Sequence, residues 1–523
     1  MGWGGVSWAL PLVVVLLLTG GTAAVAVGRG TIPWNSDGAV VGLMARDILR
    51  SGHHPVFFDG SDYGGTFEQH WVALAFSVFG ESVTIHRVAV TVLLIAVVGL
   101  VYAMTRLTFG APAALAAGLY LALGPHFFFY RGVSSEGPYT PVYLAGAGIL
   151  FLLGLVERRA RDGRPIGVVV LGLGFLAGFG WWTHPLSMAF GLSALAALAV
   201  GSARRHLTFP IGAGALAAFL AGSLPWWLKN VRTGFRSLTG PDLMRATPAQ
   251  ALYQARVLFE DGIPTLLGRS PRWSPSSPVP GATIVAYAVL LAGIAWGFHL
   301  LRGKDGELPR YFAAVLLPLL IACPALALNS VRTDFVEPRL IFPYFFALAP
   351  LLGSLLTSAR LAIATRGVVA AGALFLAVTS HALAPAFEAP PVRLVSGLEA
   401  RGVTAFYGSY WKAYPVTFLS GGSIVGTPFG STPWTRRLRD AVRVDASPAP
   451  AVLLGKDEAV GLDAFLAGSG YGARREEVEG LVLYREISPG ALRALRQCVC
   501  VPPPPPHALA PPVAPSPALP GTS

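Results

Sequence analysis

The chain of 523 residues is 53% hydrophobic and only 13% charged, about half the charged share of soluble globular proteins, which excludes a string of soluble domains and points to a polytopic membrane protein. Its 39 basic against 27 acidic residues give a net charge of +12; in such a chain basic residues report topology first, so no nucleic-acid partner is expected. Three cysteines (Cys323, Cys498 and Cys500) supply neither a disulfide framework nor a complete zinc set.

An apolar run over residues 5 to 28 opens the chain, with no Lys or Arg before it and no clear small-residue cleavage site followed by a soluble body. It reads as a retained first span rather than a signal peptide. Further runs of spanning length cover residues 83 to 104, 111 to 125, 140 to 156, 166 to 181, 185 to 200, 208 to 224, 282 to 301, 311 to 328, 339 to 358 and 367 to 385. The expected fold is an all-α polytopic membrane protein of about 11 transmembrane helices, with interfacial helices in the first outward loop and a small C-terminal α/β extramembrane domain. The 61 Gly and 43 Pro suit small-residue helix packing and broken helices in a bilayer.

Short loops retain Lys and Arg on the cytoplasmic side. One set of alternate loops holds Arg106, then Arg158, Arg159, Arg161 and Arg164, then Arg204 and Arg205, then Arg302, Lys304 and Arg310, then Arg360 and Arg366, and is assigned to the cytoplasm. The opposite set is longer and chemically richer: residues 29 to 82, 126 to 139, 225 to 281, 329 to 338 and everything after 386. Any active site should therefore face outward.

Residues 1 to 385 thus form the membrane unit. Residues 386 to 500 lose the spanning pattern and show short β-rich runs at 403 to 407, 416 to 419, 451 to 454 and 481 to 484, punctuated by Gly, Pro and Asp as in a small α/β domain. Residues 501 to 523, with five consecutive prolines from Pro502, read as a stiff polyproline or disordered tail.

In the first outward loop, apolar residues at Val40, Val41, Leu43, Met44, Ile48 and Leu49 have helical spacing, with Ser36 as N-cap and Gly52 as stop. The pattern predicts an amphipathic helix in the membrane interface, its wet side formed by Arg46, Asp47 and Arg50. Asp37 falls in the first turn, where the helix dipole favours an ionised carboxylate able to accept a proton or hold a divalent cation; as a second capping residue it would need no further role. The loop continues past Asp59, Asp62 and Tyr63 through a Gly-Gly turn to Glu68 and His70. At the mouth of a helix bundle Glu68 requires a wet cavity or a partner, and Arg87 is the candidate partner.

The second outward loop adds Arg131 and Glu136, and the third is only Trp181-Trp182-Thr183-His184-Pro185, in which His184 reads as a hydrogen-bonded turn residue before it reads as a base. The fourth opens with Lys229 and Arg232 beside a Trp pair, and the loop before the tenth span ends Glu337-Pro338-Arg339. Cations at this depth suit a membrane-anchored phosphate, and equally suit ordinary snorkelling.

The order of these segments resembles the C-type polyprenyl-phosphate-sugar-dependent glycosyltransferases, the superfamily of the protein mannosyltransferases, lipid A aminoarabinose transferases and RgtA/B/C/D-like enzymes. The similar features are the early Asp37, the stretch PVFFDGSDYGGTFEQHWVALAFSVFGES leading to Arg87, the GFGWWTHPLS and SLPWWLKN turns, and EPRLIFPYFFALAPLLG, spanning residues 5 to 385. The resemblance implies a polyprenyl-phosphate sugar donor at the outer leaflet and a lipid, glycan or protein acceptor. It makes Asp37 the base, or the group that stabilises the acceptor near a divalent metal (Mg or Mn), and makes Arg339 the cation beside the last core helices. Glu68 would be the second catalytic carboxylate, and Lys229, Arg232 or Arg339 would neutralise the phosphate leaving group of an inverting displacement. Tyr63, Arg87, Glu136, His184 and Glu337 complete the candidate set. Two departures bear on the metal and on the subfamily: Gly38 follows Asp37 where many members have Glu, and a Tyr63-Gly64-Gly65 turn replaces a frequent Pro-Pro pair. The Ala/Gly/Arg-rich composition suggests a bacterial inner membrane. A transporter, or a non-catalytic envelope-assembly protein of the same fold, are the alternatives.

Overall fold

The structure, a computed structural model, describes residues 6–239, 247–270, 279–303, 305–328, 339–429 and 435–497. Lys304, Glu337, Cys498, Cys500 and the 501 to 523 tail lie outside the described residues.

The membrane unit runs α1 (Val6–Gly28), α2 (Ser36–Ser51), α3 (Phe67–Phe79), α4 (Val83–Phe109), α5 (Ala111–Ala122), α6 (His126–Val133), α7 (Tyr139–Arg161), α8 (Gly167–Thr183), α9 (Ser187–Val200), α10 (Phe209–Gly222), α11 (Leu224–Thr233), α12 (Arg236–Thr239), α13 (Pro248–Val257), α14 (Ile263–Leu266), α15 (Ala282–Leu301), α16 (Glu307–Leu328), α17 (Tyr344–Thr357) and α18 (Ile363–Ala382). Each apolar run of the sequence falls on a helix. Among the described residues six helices, α1, α4, α7, α15, α16 and α18, are long and apolar enough to cross a membrane, or up to eight if the bent pairs α5–α6 and α10–α11 each make one span. The chain is a multi-pass membrane protein. The α5–α6 pair bends by 73° where Gly124 and Pro125 interrupt it, since proline cannot donate to the preceding turn. Residues 126 to 133, expected as loop, are therefore helical and buried, and the expected loop 225 to 281 contains α11 to α14.

Packing follows side-chain size. On the facing sides of α8 and α10, a Cβ on Gly178 would lie 2.0 Å from the Phe219 carbonyl oxygen and one on Gly222 would lie 2.2 Å from that of Phe175. Only glycine permits that backbone approach, which replaces the hydrophobic drive absent between helices in lipid. α7 and α17 are buried on most of their faces, whereas α1 and α18 present Leu17 at 70% and Ile363 at 80% exposure, the surface lipid would cover.

A second domain, termed the outer domain for its place in the chain beyond the last long apolar helix, consists of α19 (Val392–Glu399), β1 (Ala405–Gly408), α20 (Tyr410–Leu419), β2 (Val425–Pro428), α21 (Leu438–Asp445), β3 (Ala451–Leu454), α22 (Lys456–Ser469), β4 (Arg474–Val478), β5 (Leu481–Arg485) and α23 (Pro489–Gln497). Its five-stranded sheet has the order β2-β1-β3-β5-β4, with β1 parallel to β2 and β3, and β5 antiparallel to β3 and β4. The run 416 to 419, expected as a strand, is instead the end of α20; a short apolar run does not distinguish a buried strand from a buried helix turn.

The helix of the first outward loop does not lie on the membrane surface. α2 is buried along most of its length in one apolar cluster that joins Val40, Leu43 and Met44 to Val72 and Phe76 of α3 and to Tyr410, Tyr414 and Phe418 of α20. Its cap is Asn35, whose side chain accepts from the Gly38 N–H at 3.2 Å, while Gly52 ends it in the left-handed conformation. Arg46, expected on the wet side, is only 7% exposed. It stays buried because Glu81 sits 2.7 Å from its Nε and the Phe418 carbonyl accepts from it at 2.8 Å.

Candidate functional site

Asp37 sits in the first turn of α2, where unpaired N–H groups favour its charge. The outer domain reaches it directly. The Tyr410 hydroxyl donates to Asp37 Oδ1, and the neighbouring Ser36 hydroxyl donates to the Tyr410 carbonyl. Arg436 hydrogen-bonds the same phenol and lies within electrostatic reach of Asp37 and Tyr63. Its guanidinium carbon is 5.5 Å from the Phe58 ring centre.

Opposite this contact the membrane unit presents aromatic rings and cations. Tyr139, at the start of α7, has the guanidinium carbons of Arg131 at 5.2 Å and Arg339 at 5.5 Å from its ring centre, and it is within the electrostatic reach of Asp37. Arg131 is neutralised by Glu136, 2.5 Å away, both side chains being almost fully buried. Arg339 has no carboxylate within 4.0 Å among the described residues. His184 packs between Tyr63 and Tyr139, with ring centres 5.7 and 5.0 Å away. Its Nδ1 accepts from the Leu186 N–H at 3.0 Å, and burial, helped by Arg339, holds the ring down to about 3. It is a neutral spacer between two phenols, placed where the Trp182-Thr183 backbone is pinned by a hydrogen bond from Gly65 N to the Thr183 carbonyl at 2.9 Å.

Beneath Asp37 runs a buried polar chain. Trp34 Nε1 donates to His86 Nδ1 at 3.5 Å, His86 Nε2 meets the Ser135 hydroxyl at 2.7 Å, and that hydroxyl donates to Glu68 Oε1 at 2.7 Å. Gly137 N–H adds a bond to the same Glu68 oxygen at 3.3 Å. Ser135 holds φ 54°, a left-handed conformation that a non-glycine residue adopts at a cost of about 1 kcal/mol. Glu68 is fully buried, and burial pushes its carboxyl up to about 8 against the pull of Ser135 and Gly137. The anticipated pairing of Glu68 with Arg87 is not formed; Arg87 donates to the Ile32 carbonyl at 3.0 Å. Glu68 therefore stands as a neutral acid supporting the floor of the site.

The structure brings together Asp37, Tyr63, Glu136, His184 and Arg339, with Glu68 one layer below. Lys229 and Arg232 lie on exposed positions of α11, with no contact to the Asp37 cluster among the described residues. Glu337 falls outside the described residues. Sequence inspection missed Tyr410 and Arg436, which belong to a domain assigned no chemistry. The one available signal was electrostatic: the basic run Arg436-Arg437-Leu438-Arg439 complements Asp37, Asp47, Asp59 and Asp62 of the first loop. Arg437 realises that match, with its Nη1 2.9 Å from Asp47 and 3.1 Å from Asp59.

A Mg or Mn site at Asp37 does not fit these neighbours. The Tyr410 hydroxyl donates to Asp37 Oδ1 and Arg436 brings a positive charge within electrostatic reach of it, and no group of three or more His, Cys, Asp or Glu converges anywhere among the described residues. A hard cation needs several oxygen ligands.

The fold as a whole matches solved membrane enzymes. ArnT from Cupriavidus metallidurans bound to undecaprenyl phosphate superposes with a TM-score of 0.60 at 13% identity, covering 93% of this chain and 99% of that one. The oligosaccharyltransferase of Archaeoglobus fulgidus, tethered to an acceptor peptide, gives a TM-score of 0.54 at 13% identity over 92% of this chain and 74% of that one. The chain shares the fold of these two proteins. A family model for dolichyl-phosphate-mannose-protein mannosyltransferase matches residues 69–228, a segment that includes neither Asp37 nor Arg339. No curated protein matches the sequence.

Proposed function

We propose that the protein is a membrane glycosyltransferase that moves a sugar from a polyprenyl-phosphate donor to an acceptor hydroxyl on the extracytoplasmic side, with inversion. The observation that carries this reading is Asp37, an acceptor-ready carboxylate at a helix N-terminus, facing the aromatic and cationic wall of Tyr63, Tyr139 and Arg339 in a fold shared with an undecaprenyl-phosphate-binding enzyme. The basic loop ends, such as Arg158, Arg159 and Arg161 on α7, lie at the far end of the helix that begins at Tyr139, which supports an outward-facing site.

In the reaction the acceptor oxygen forms its bond to the anomeric carbon while the bond from that carbon to the phosphate oxygen breaks. The electron pair leaves with the polyprenyl phosphate, and the acceptor proton passes to Asp37. Arg339 stabilises the developing phosphate charge, the kind of preorganised electrostatic contribution that dominates many enzymes. No step is routed through a metal.

The test is transfer of labelled sugar from a panel of polyprenyl-phosphate sugars by purified protein in lipid, with wild type beside Asp37→Asn. Transfer by the wild type alone establishes both the activity and the base. Transfer by both proteins keeps the enzyme and discards Asp37. No transfer from any donor to a crude envelope extract overturns the reading in favour of a transporter or assembly protein.

A further inference from the structure

The contact between Asp37 and the outer domain is more specific than docking requires. Tyr410 is 4% exposed and is gripped at two points by consecutive residues of α2, its carbonyl by Ser36 and its hydroxyl by Asp37. A phenol has one proton to donate and lone pairs to accept. Here the proton goes to Asp37 Oδ1 and a lone pair receives the Arg436 guanidinium, so the hydroxyl rotor has one orientation. Among the described residues nothing hydrogen-bonds Asp37 Oδ2.

Resting on the glycosyltransferase proposal, we infer that Arg436 and Tyr410 of the outer domain form a hydrogen-bonded relay onto Asp37 that positions its unengaged Oδ2 as the proton acceptor. Tyr410 and Arg436 are positioning residues. They touch the base, and the base touches the acceptor. As the acceptor oxygen attacks the anomeric carbon, its proton passes to Oδ2; Oδ1 keeps its bond to Tyr410, so the carboxyl plane does not turn during transfer. The remaining charged or titratable groups facing this point are Tyr63 from the first loop, Tyr139 from α7, and Arg339 with the neutralised Arg131–Glu136 pair. None of them bonds Asp37 directly among the described residues, which leaves the relay as the direct control.

The discriminating experiment is the separation of kcat from donor and acceptor KM for wild type, Tyr410→Phe and Arg436→Gln, with limited proteolysis confirming that the outer domain stays docked. Tyr410→Phe keeps the ring and removes only the hydroxyl. Its kcat should fall by up to about 100-fold through misorientation with donor KM unchanged. Arg436→Gln should lower kcat in the same way. A Tyr410→Phe enzyme with wild-type kcat overturns the relay while leaving the glycosyltransferase intact. So does a rise in donor KM that accounts for the whole loss of kcat/KM, which marks a general loosening of the site. Absence of transfer by the wild type from every donor overturns the underlying reading, and the relay with it.

Discussion

Tyr410 and Asp37, 373 positions apart in the chain, share one hydrogen bond, and through it the first loop and the outer domain meet at a single carboxylate. The bond is the centre of a larger attachment in which α2 serves as core for the membrane unit and for the outer domain at once.

Arg437 is 4% exposed and is shared by Asp47, Asp59 and Asp440. Removing it strips Asp440 of its buried partner and leaves Asp47 and Asp59 to Arg439 alone, which weakens the attachment. Arg437→Ala should therefore release the outer domain, read as new protease cleavage between α18 and α19 without loss of the helical signal of the membrane unit. An unchanged cleavage pattern would refute this account of docking.

Glu68 predicts a stability slope. Its carboxyl is raised by burial from 4.5 to about 8, so between those values the folded state holds more protons than the unfolded one. Stability attributable to this group is present below about pH 4.5 and is lost as the pH rises through about 8. Glu68→Gln keeps the neutral shape and should flatten that part of the thermal unfolding profile. Equal slopes in the two proteins would assign the pH dependence elsewhere.

Of the candidate phosphate cations Lys229, Arg232 and Arg339, Arg339 lies beside Tyr139 while Lys229 is exposed on α11. Arg339→Ala should lower kcat/KM for the donor by about 100-fold or more, whereas Lys229→Ala, exposed on α11, should leave it unchanged. Saturation kinetics with one polyprenyl-phosphate sugar checks both; the reverse order would move the phosphate to α11.

Gly60 has φ 69°, and a Cβ there would lie 2.6 Å from Arg436 Cα. Gly163, on the opposite face, has φ 65° with open space around it. Gly60→Ala should thus impair transfer by pushing Arg436 off the phenol, while Gly163→Ala carries only the backbone strain, about 1 kcal/mol, and keeps full activity. Equal activity in the two variants would show that the position of Arg436 is immaterial.

Transfer should continue in excess EDTA, since Tyr410 donates to Asp37, Arg436 places a positive charge near it, and no group of three or more His, Cys, Asp or Glu converges among the described residues. Loss of activity on chelation, restored by Mg or Mn, would contradict this.

The membrane unit was legible in the sequence because lipid imposes a long, simple pattern: every apolar run from residue 5 to residue 385 became a helix. Span count was less legible, since α8, α9 and α17 are short and α5 and α10 end in bends that hydropathy does not register. Asp37 could be singled out by its helix-start position, and Arg339 through family resemblance. Tyr410 could not, because its meaning depends on a contact with residues near the other end of the chain. The amphipathic pattern of α2 was visible, but its assignment to the membrane interface was not met: the surface that covers α2 is α20, which supplies Tyr410, Tyr414 and Phe418 in place of lipid.

The shared core around α2 also orders events during synthesis. Ser36 and Asp37 precede every later helix of the membrane unit, whereas α20 follows α18, the last long apolar helix among the described residues. Until that final segment has been threaded, α2 has an uncovered apolar face and Asp37 has no phenol to hold it. A chain that stops before α20 therefore keeps an apolar helix face open, a surface that invites association with other chains.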